Sequence, residues 1–218
     1  MGLLMRCVIL ASGPVENYEG IHIDEGDTVI AVDGGIRHAK MLGVVPGIVI
    51  GDMDSADPGL LSQLKGLGCR VFTYPREKDE VDTELALDYA ISLRPEEIIL
   101  YGATGGRIDH MLAGMQLLVK PTASGIRTYI KDHNHSITLA APQLPAVIEG
   151  RGRLFSLLPL TTSVTGITTR GARWELTGAE FVMGKPYGIS NLSLSDLVTV
   201  SITGGMLLVI EVYSEEAG

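Results

Sequence analysis

The first 131 residues alternate between two textures, and that alternation restricts the fold more than any single motif. Short runs rich in β-branched residues read as strands: Arg6–Ala11, Thr28–Val32, Gly47–Ile50, Arg70–Tyr74, Glu97–Tyr101 and Arg127–Ile130. Helix-patterned stretches lie between most of them: Ile36–Leu42, Gly59–Leu67, Thr83–Leu93 and His110–Val119. In the third of these, Leu85, Ala86, Tyr89, Ala90 and Leu93 fall on one helical face and read as a packing stripe. Strands that take turns with helices form a mostly parallel sheet covered on both faces. Near His133 the texture changes. Short β-like runs crowd together at Ser136–Ala140, Arg153–Leu158, Ser163–Thr168, Arg173–Leu176, Leu197–Thr203 and Met206–Val212, with no helical period. This predicts a small all-β sandwich or barrel. Ile202-Thr203-Gly204-Gly205-Met206 predicts a hairpin with a Gly-Gly turn. The expected organisation is an α/β domain over 1–132 and a β-sandwich domain over 133–218.

Composition narrows the function. No apolar run approaches the roughly 18 residues a membrane span needs. The apolar N-terminus merges into a strand pattern and does not read as a signal peptide. Net charge is −9, which argues against a nucleic-acid partner, since that needs a basic face. The acid is uneven: residues 1–132 hold 12 Lys and Arg against 19 Asp and Glu, and residues 133–218 hold 5 against 7. The charged chemistry therefore belongs to the first part. Cys7 and Cys69 lie in or beside apolar runs and form no CxxC, so they read as buried thiols of a cytoplasmic protein.

Ligands of an open α/β sheet bind outside the carboxyl ends of the strands. Four polar clusters follow strand candidates here. Asp33-Gly34-Gly35 allows a sharp turn or a close approach to a ligand, and alone it is a weak signal that reads first as a turn with a helix cap. Asp52-Met53-Asp54-Ser55 puts two carboxylates one residue apart. At roughly 4 Å they repel by about 4 kcal/mol at an effective dielectric near 20. A divalent cation relieves this, with oxygen ligands suited to Mg²⁺ or Mn²⁺. An Asx-turn is the local alternative. Lys78-Asp79-Glu80-Val81-Asp82-Thr83-Glu84 opens a helix, with Asp79 as a possible cap and Asp82 in the first turn. Gly102-Ala103-Thr104-Gly105-Gly106-Arg107-Ile108-Asp109-His110 exposes backbone N–H groups ahead of a helix, and its arginine can grip phosphate at two points. Histidines and cysteines do not cluster, which argues against zinc, and there is no GxSxG elbow. Together the clusters place an acidic metal site beside a phosphate seat, a layout for phosphoryl transfer.

In this order the motifs resemble the thiamine pyrophosphokinase family, and Gly171-Ala172-Arg173-Trp174 and Gly188-Ile189-Ser190-Asn191 fit as well. The resemblance spans nearly the whole chain. It implies a Rossmann-like α/β nucleotide domain, a β-sandwich thiamine domain, and a homodimer with active sites at the interface. It implies transfer of a diphosphate from ATP to thiamine, giving thiamine diphosphate and AMP, with Mg²⁺. Carried over by motif, Asp52, Asp54 and Asp79 would hold the metal, and Asp33 and Asp82 would lie beside them. Gly34, Gly105, Gly106, Arg107 and Asp109 would hold the nucleotide. Trp174, Ser190 and Asn191 would serve thiamine. Asp33, Asp54 and Asp82 are the catalytic candidates, with Asp33 or Asp82 as the proton acceptor. Two positions depart from the usual pattern. Val81 stands where a threonine is usual, and Leu192 where an acid is usual. The alternatives are a Mg²⁺-dependent nucleotide hydrolase and a noncatalytic nucleotide or thiamine sensor.

Overall fold

A computed structural model describes residues 5–54 and 58–213. The chain divides into two compact units: Met1–Leu117 with Ile130–His133, and Leu118–Tyr129 with Asn134–Gly218. The expected domains, 1–132 and 133–218, differ from this division mainly over 118–129, which groups with the second unit.

The first unit contains β1 (Arg6–Leu10), β2 (Thr28–Val32), α1 (Ile36–Met41), β3 (Ile48–Gly51), α2 (Pro58–Gly66), β4 (Arg70–Thr73), α3 (Asp82–Ser92), β5 (Glu97–Tyr101) and α4 (Ile108–Leu117). The strands pair in parallel in the order β5-β1-β2-β3-β4, with Val8 opposite both Val29 and Ile99, and Ala31 opposite Val49. Val8, Ile9, Leu10, Ile30, Ala31, Ile48, Val49 and Ile50 are all buried. Continuous burial is what a sheet covered on both faces requires, and it explains why these strands show no polar alternation. Helix α3 packs on β1, β2 and β3. Its fully buried positions are Ala86, Leu87 and Ala90, while Leu85, Tyr89 and Leu93 are half-buried. The core-facing stripe is thus rotated toward Leu87 from the expected one.

The second unit includes α5 (Val119–Ala123) and the first three residues of β6 (Arg127–Lys131), whose last two group with the first unit; from Asn134 on its described elements are all strands. These are β7 (His135–Ala140), β8 (Ala146–Glu149), β9 (Leu154–Pro159), β10 (Ser163–Arg170), β11 (Ala179–Val182), β12 (Gly188–Leu192), β13 (Leu197–Ser201) and β14 (Leu207–Val212). One antiparallel sheet runs β12-β9-β14-β7 and the other β11-β10-β13-β8. Phe155, Leu157, Leu207 and Val209 from the first meet Ile148, Val164, Ile167, Phe181, Val198 and Val200 from the second in one core. This is the sandwich the texture implied.

Two expectations for this unit fail. Arg173–Leu176 is not a strand: its backbone forms bends and makes isolated bonds, such as Arg173 N–H donating to Leu192 O at 2.8 Å, rather than a ladder. The Gly-Gly segment makes no hairpin either: β13 pairs β8 and β10, whereas β14 pairs β7 and β9. The turn crosses from one sheet to the other. It is pinned to β10 by Thr203 N–H donating to Thr165 O at 2.9 Å and Thr165 N–H donating to Gly204 O at 3.0 Å. The crossing satisfies burial on both sides, since Ile202 and Leu207 enter the same core.

Candidate active site

The carboxyl ends of β5, β1, β2 and β3 lie side by side, so the loops that follow them are neighbours. Asp33 does not cap α1. It opens a 3₁₀ turn, Asp33–Gly35, at φ 44°, and no side-chain cap bond forms. Its Oδ1 instead accepts the Asp52 N–H at 3.1 Å, tying the end of β2 to the end of β3. Gly51, at φ 153°, makes this possible, since a Cβ there would overlap Asp33 Oδ1. Asp52 Oδ1 accepts the Asp54 N–H at 3.0 Å, the Asx-turn read as the local alternative, and Met53 sits at φ 58°. Asp54 is exposed and pairs with Arg76 at 3.3 Å. Ser55 lies outside the described residues.

Asp79 does not cap α3. The helix opens at Asp82 after an extended Val81, again with no side-chain cap bond. Asp82 is drawn away from the orphan amides by Lys78, whose Nζ is 2.8 Å from Oδ1, and by Asp33. Three carboxylates from three elements therefore gather: Asp33, Asp52 and Asp82. Burial pushes the Asp33 carboxyl up to about 7, and the negative charge and hydrogen bond of Asp82, then the charge of Asp52, push the same way. Asp79 is exposed, in the bend that precedes α3. Among the described residues, no three His, Cys, Asp or Glu side chains converge in metal-holding geometry. The charge excess around Asp33, with one lysine to offset it, is nevertheless chemistry that suits a hard divalent cation.

The Gly-rich loop takes left-handed conformations at Gly102, Gly105 and Gly106, and α4 starts at Ile108, two residues before the expected helix. Arg107 donates to Asp109 from Nε at 3.1 Å and from Nη2 at 2.6 Å. That pairing holds the Asp109 carboxyl down at about 2. Arg107 is exposed and keeps further N–H donors for an anion.

A fifth strand-end loop, Ser12-Gly13-Pro14 after β1, was not singled out by sequence. Gly13 N–H donates to Gly102 O at 2.9 Å, and Pro14 lies against Gly105 and Gly106. Two α1 side chains fasten it. Arg37 Nη2 donates to Ser12 O at 2.5 Å, and His38 Nε2 bonds Gly13 O at 2.8 Å. His38 is 2% exposed, and its Nδ1 bonds the Tyr18 hydroxyl at 2.7 Å. The Gly13 carbonyl can only accept, so Nε2 carries a proton; burial lowers the ring's pKa, which favours the neutral form with Nδ1 accepting from the Tyr18 hydroxyl. A Ser-Gly-Pro directly after a strand was the available signal.

The second unit carries a cavity of about 360 Å³, within the range of small-molecule sites. Leu157, Trp174, Phe181, Tyr187, Ser190 and Asn191 are among its lining residues, so the three residues expected to serve thiamine share one pocket. Trp174 is 55% exposed, and the Arg173 guanidinium lies 4.9 Å from its ring centroid. Ser190 and Asn191 lie on β12.

Fold and sites define a two-unit protein, α/β with an acidic strand-end centre followed by a β-sandwich with an aromatic pocket. Two family models match it: "Thiamin pyrophosphokinase, catalytic domain" over residues 22–130, and "Thiamin pyrophosphokinase, vitamin B1 binding domain" over residues 141–207. A thiamine pyrophosphokinase of Bacillus subtilis (strain 168) is 29% identical over 206 residues, 93% of this chain and 96% of that one. The crystal structure of thiamine pyrophosphokinase from Bacillus subtilis matches with a TM-score of 0.84 at 28% identity, covering 97% of this chain and 100% of that one. That from Geobacillus thermodenitrificans matches at 0.82 and 26%, covering 97% and 98%. The chain belongs to the thiamin pyrophosphokinase family, whose reaction is diphosphate transfer from ATP to thiamine.

Proposed function

We propose that this chain transfers the terminal diphosphate of ATP to the hydroxyl of thiamine. The thiamine oxygen attacks the β-phosphorus in line and the bond from that phosphorus to the α,β-bridging oxygen breaks. AMP leaves with that oxygen. The hydroxyl proton goes to one of two facing carboxylates, Asp33 or Asp82. The observation that carries this reading is the gathering of Asp33, Asp52 and Asp82 at adjoining strand ends, in a chain whose second unit holds an aromatic pocket.

Mg²⁺ held by Asp52, Asp54 and Asp79 would offset the charge of the phosphates. Gly34, Gly105, Gly106 and Arg107 hold the nucleotide, and Asp109 orients Arg107 through its two bonds. Trp174 and Ser190 receive thiamine, with the open face of the indole against its rings. The active form is a homodimer. Supporting this, Ile108 and Leu112 on α4 are exposed at 71% and 52%. Among the described residues no helix is long and apolar enough to cross a membrane. The buried, unbridged Cys7 and Cys69 suit a reducing cytoplasm.

Incubation of the purified protein with ATP, Mg²⁺ and thiamine tests the reading. It expects AMP and thiamine diphosphate in equal amounts. AMP or phosphate formed without thiamine would mark a hydrolase, and binding without turnover a sensor.

A further inference from the structure

Asn191 lies beside the pocket but faces the protein. It is only 7% exposed. Its Oδ1 accepts the Trp174 N–H at 3.2 Å and the Leu192 N–H at 2.8 Å, and its Nδ2 donates to Trp174 O at 2.9 Å. Both ends of one amide thus grip the backbone of one residue, the way a neighbouring strand would. Trp174 needs this grip. The segment around it belongs to no strand, and its ring stands out from the surface with the exposed Arg173 guanidinium 4.9 Å from its centroid. Arg173 N–H to Leu192 O and Leu176 N–H to Thr169 Oγ1 hold the residues on either side, and the Asn191 amide holds the Trp174 backbone between them. The amide reaches it because β12 bulges against β9. Gly188 pairs with Leu157 and Asn191 with Phe155, so Ile189 and Ser190 together oppose Ser156. Ser190 takes up the extra residue at φ 59°, with its N–H donating to Ser156 Oγ at 3.1 Å.

We infer that Asn191 is a positioning residue for thiamine: it fixes the Trp174 backbone so that the indole stands ready, and it does not itself grip the substrate. The role rests on thiamine being the pocket's ligand. It assigns the Ser-Asn pair two separate tasks. Ser190 faces the ligand from the bulge and Asn191 holds the aromatic platform. An unordered Trp174 would have to be frozen at each binding event, which weakens affinity without changing the chemistry.

Trp174 is the sole tryptophan, so its fluorescence reports the platform directly. Asn191→Ala and Asn191→Asp should be compared with the unmodified protein. The aspartate keeps the acceptor for both N–H groups and loses only the donor to Trp174 O. In the ligand-free Asn191→Ala protein, tryptophan anisotropy should fall and acrylamide quenching rise. Its KM for thiamine should rise on the order of tenfold, the scale of one or two lost hydrogen bonds. kcat and the KM for ATP should change less than about twofold on the same reasoning, because neither depends on the platform. Asn191→Asp should fall between the two. Weakened thiamine binding with ligand-free anisotropy unchanged would overturn the inference and make Asn191 a direct ligand. Unchanged anisotropy with unchanged KM would overturn it as well. If Asn191→Ala does not fold, the same readouts on Asn191→Asp decide. If the unmodified protein binds no thiamine, the substrate assignment fails, while the ligand-free anisotropy still tests the clamp.

Discussion

Asp54 and Gly51 sit three residues apart and carry opposite kinds of information. Asp54 is exposed, and its ion pair with Arg76 spans 3.3 Å between two exposed side chains. Such pairs contribute about 0–1 kcal/mol, so the fold hardly needs this carboxylate. Asp54→Asn should melt within a degree or two of the unmodified protein. As the proposed metal ligand, Asp54 would support several kcal/mol of charge stabilisation, so AMP release should fall roughly 100-fold or more. Near-normal AMP release from that variant would remove Asp54 from the site. Gly51 behaves the other way. A methyl group there would overlap Asp33 Oδ1 at a backbone conformation that L-residues avoid. Gly51→Ala should lose about 1–3 kcal/mol of stability in denaturant titration, as well as activity. Gly20→Ala, where nothing lies within 4 Å, is the comparison for backbone strain alone.

Among the elements, the join between α1 and the loop after β1 is the most sensitive to pH. His38 is buried and neutral between Tyr18 and Gly13, and burial lowers its pKa from the ordinary 6.5. The unfolded chain therefore binds more protons than the folded one as pH falls below about 6.5, and stability is lost through that window. A melting series from pH 8 to 5 should show this loss, and His38→Gln, which cannot titrate, should flatten it. An equal slope in both proteins would place the acid sensitivity elsewhere. The same join shows why part of the site was legible in sequence and part was not. Asp33, Asp52 and Asp82 were readable because each follows or opens an element next to a predicted strand, and sheet topology brings strand ends together. Arg37 and His38 were not, because each acts on a backbone carbonyl about 25 residues away, and such bonds leave no spacing pattern. The parallel strands were readable from their β-branched runs. The strands β8, β11 and β12 are four or five residues each, with little alternation, and exist through pairing with longer neighbours.

For the whole molecule, the exposed apolar side chains of α4 should be covered by a second copy. Sedimentation equilibrium should return twice the 23.2 kDa chain mass, and a lone 23.2 kDa species at micromolar concentration would exclude the dimer. Charged substitutions at Ile108 and Leu112 should shift the population toward single chains. The Gly-Gly crossing between β13 and β14 has a consequence for how the protein is made. Strand β14 lies between β7 and β9, which precede it by roughly 70 and 50 residues, and it supplies Leu207, Leu208 and Val209 to the interior. During vectorial synthesis, β7 and β9 leave the ribosome long before the strand that joins them. Until then both carry unpaired edges, the kind of surface that recruits neighbouring chains. A ribosome stalled before residue 207 would therefore hold the first unit's parallel strands complete and the second unit open down its middle, with β7 and β9 each still lacking its partner.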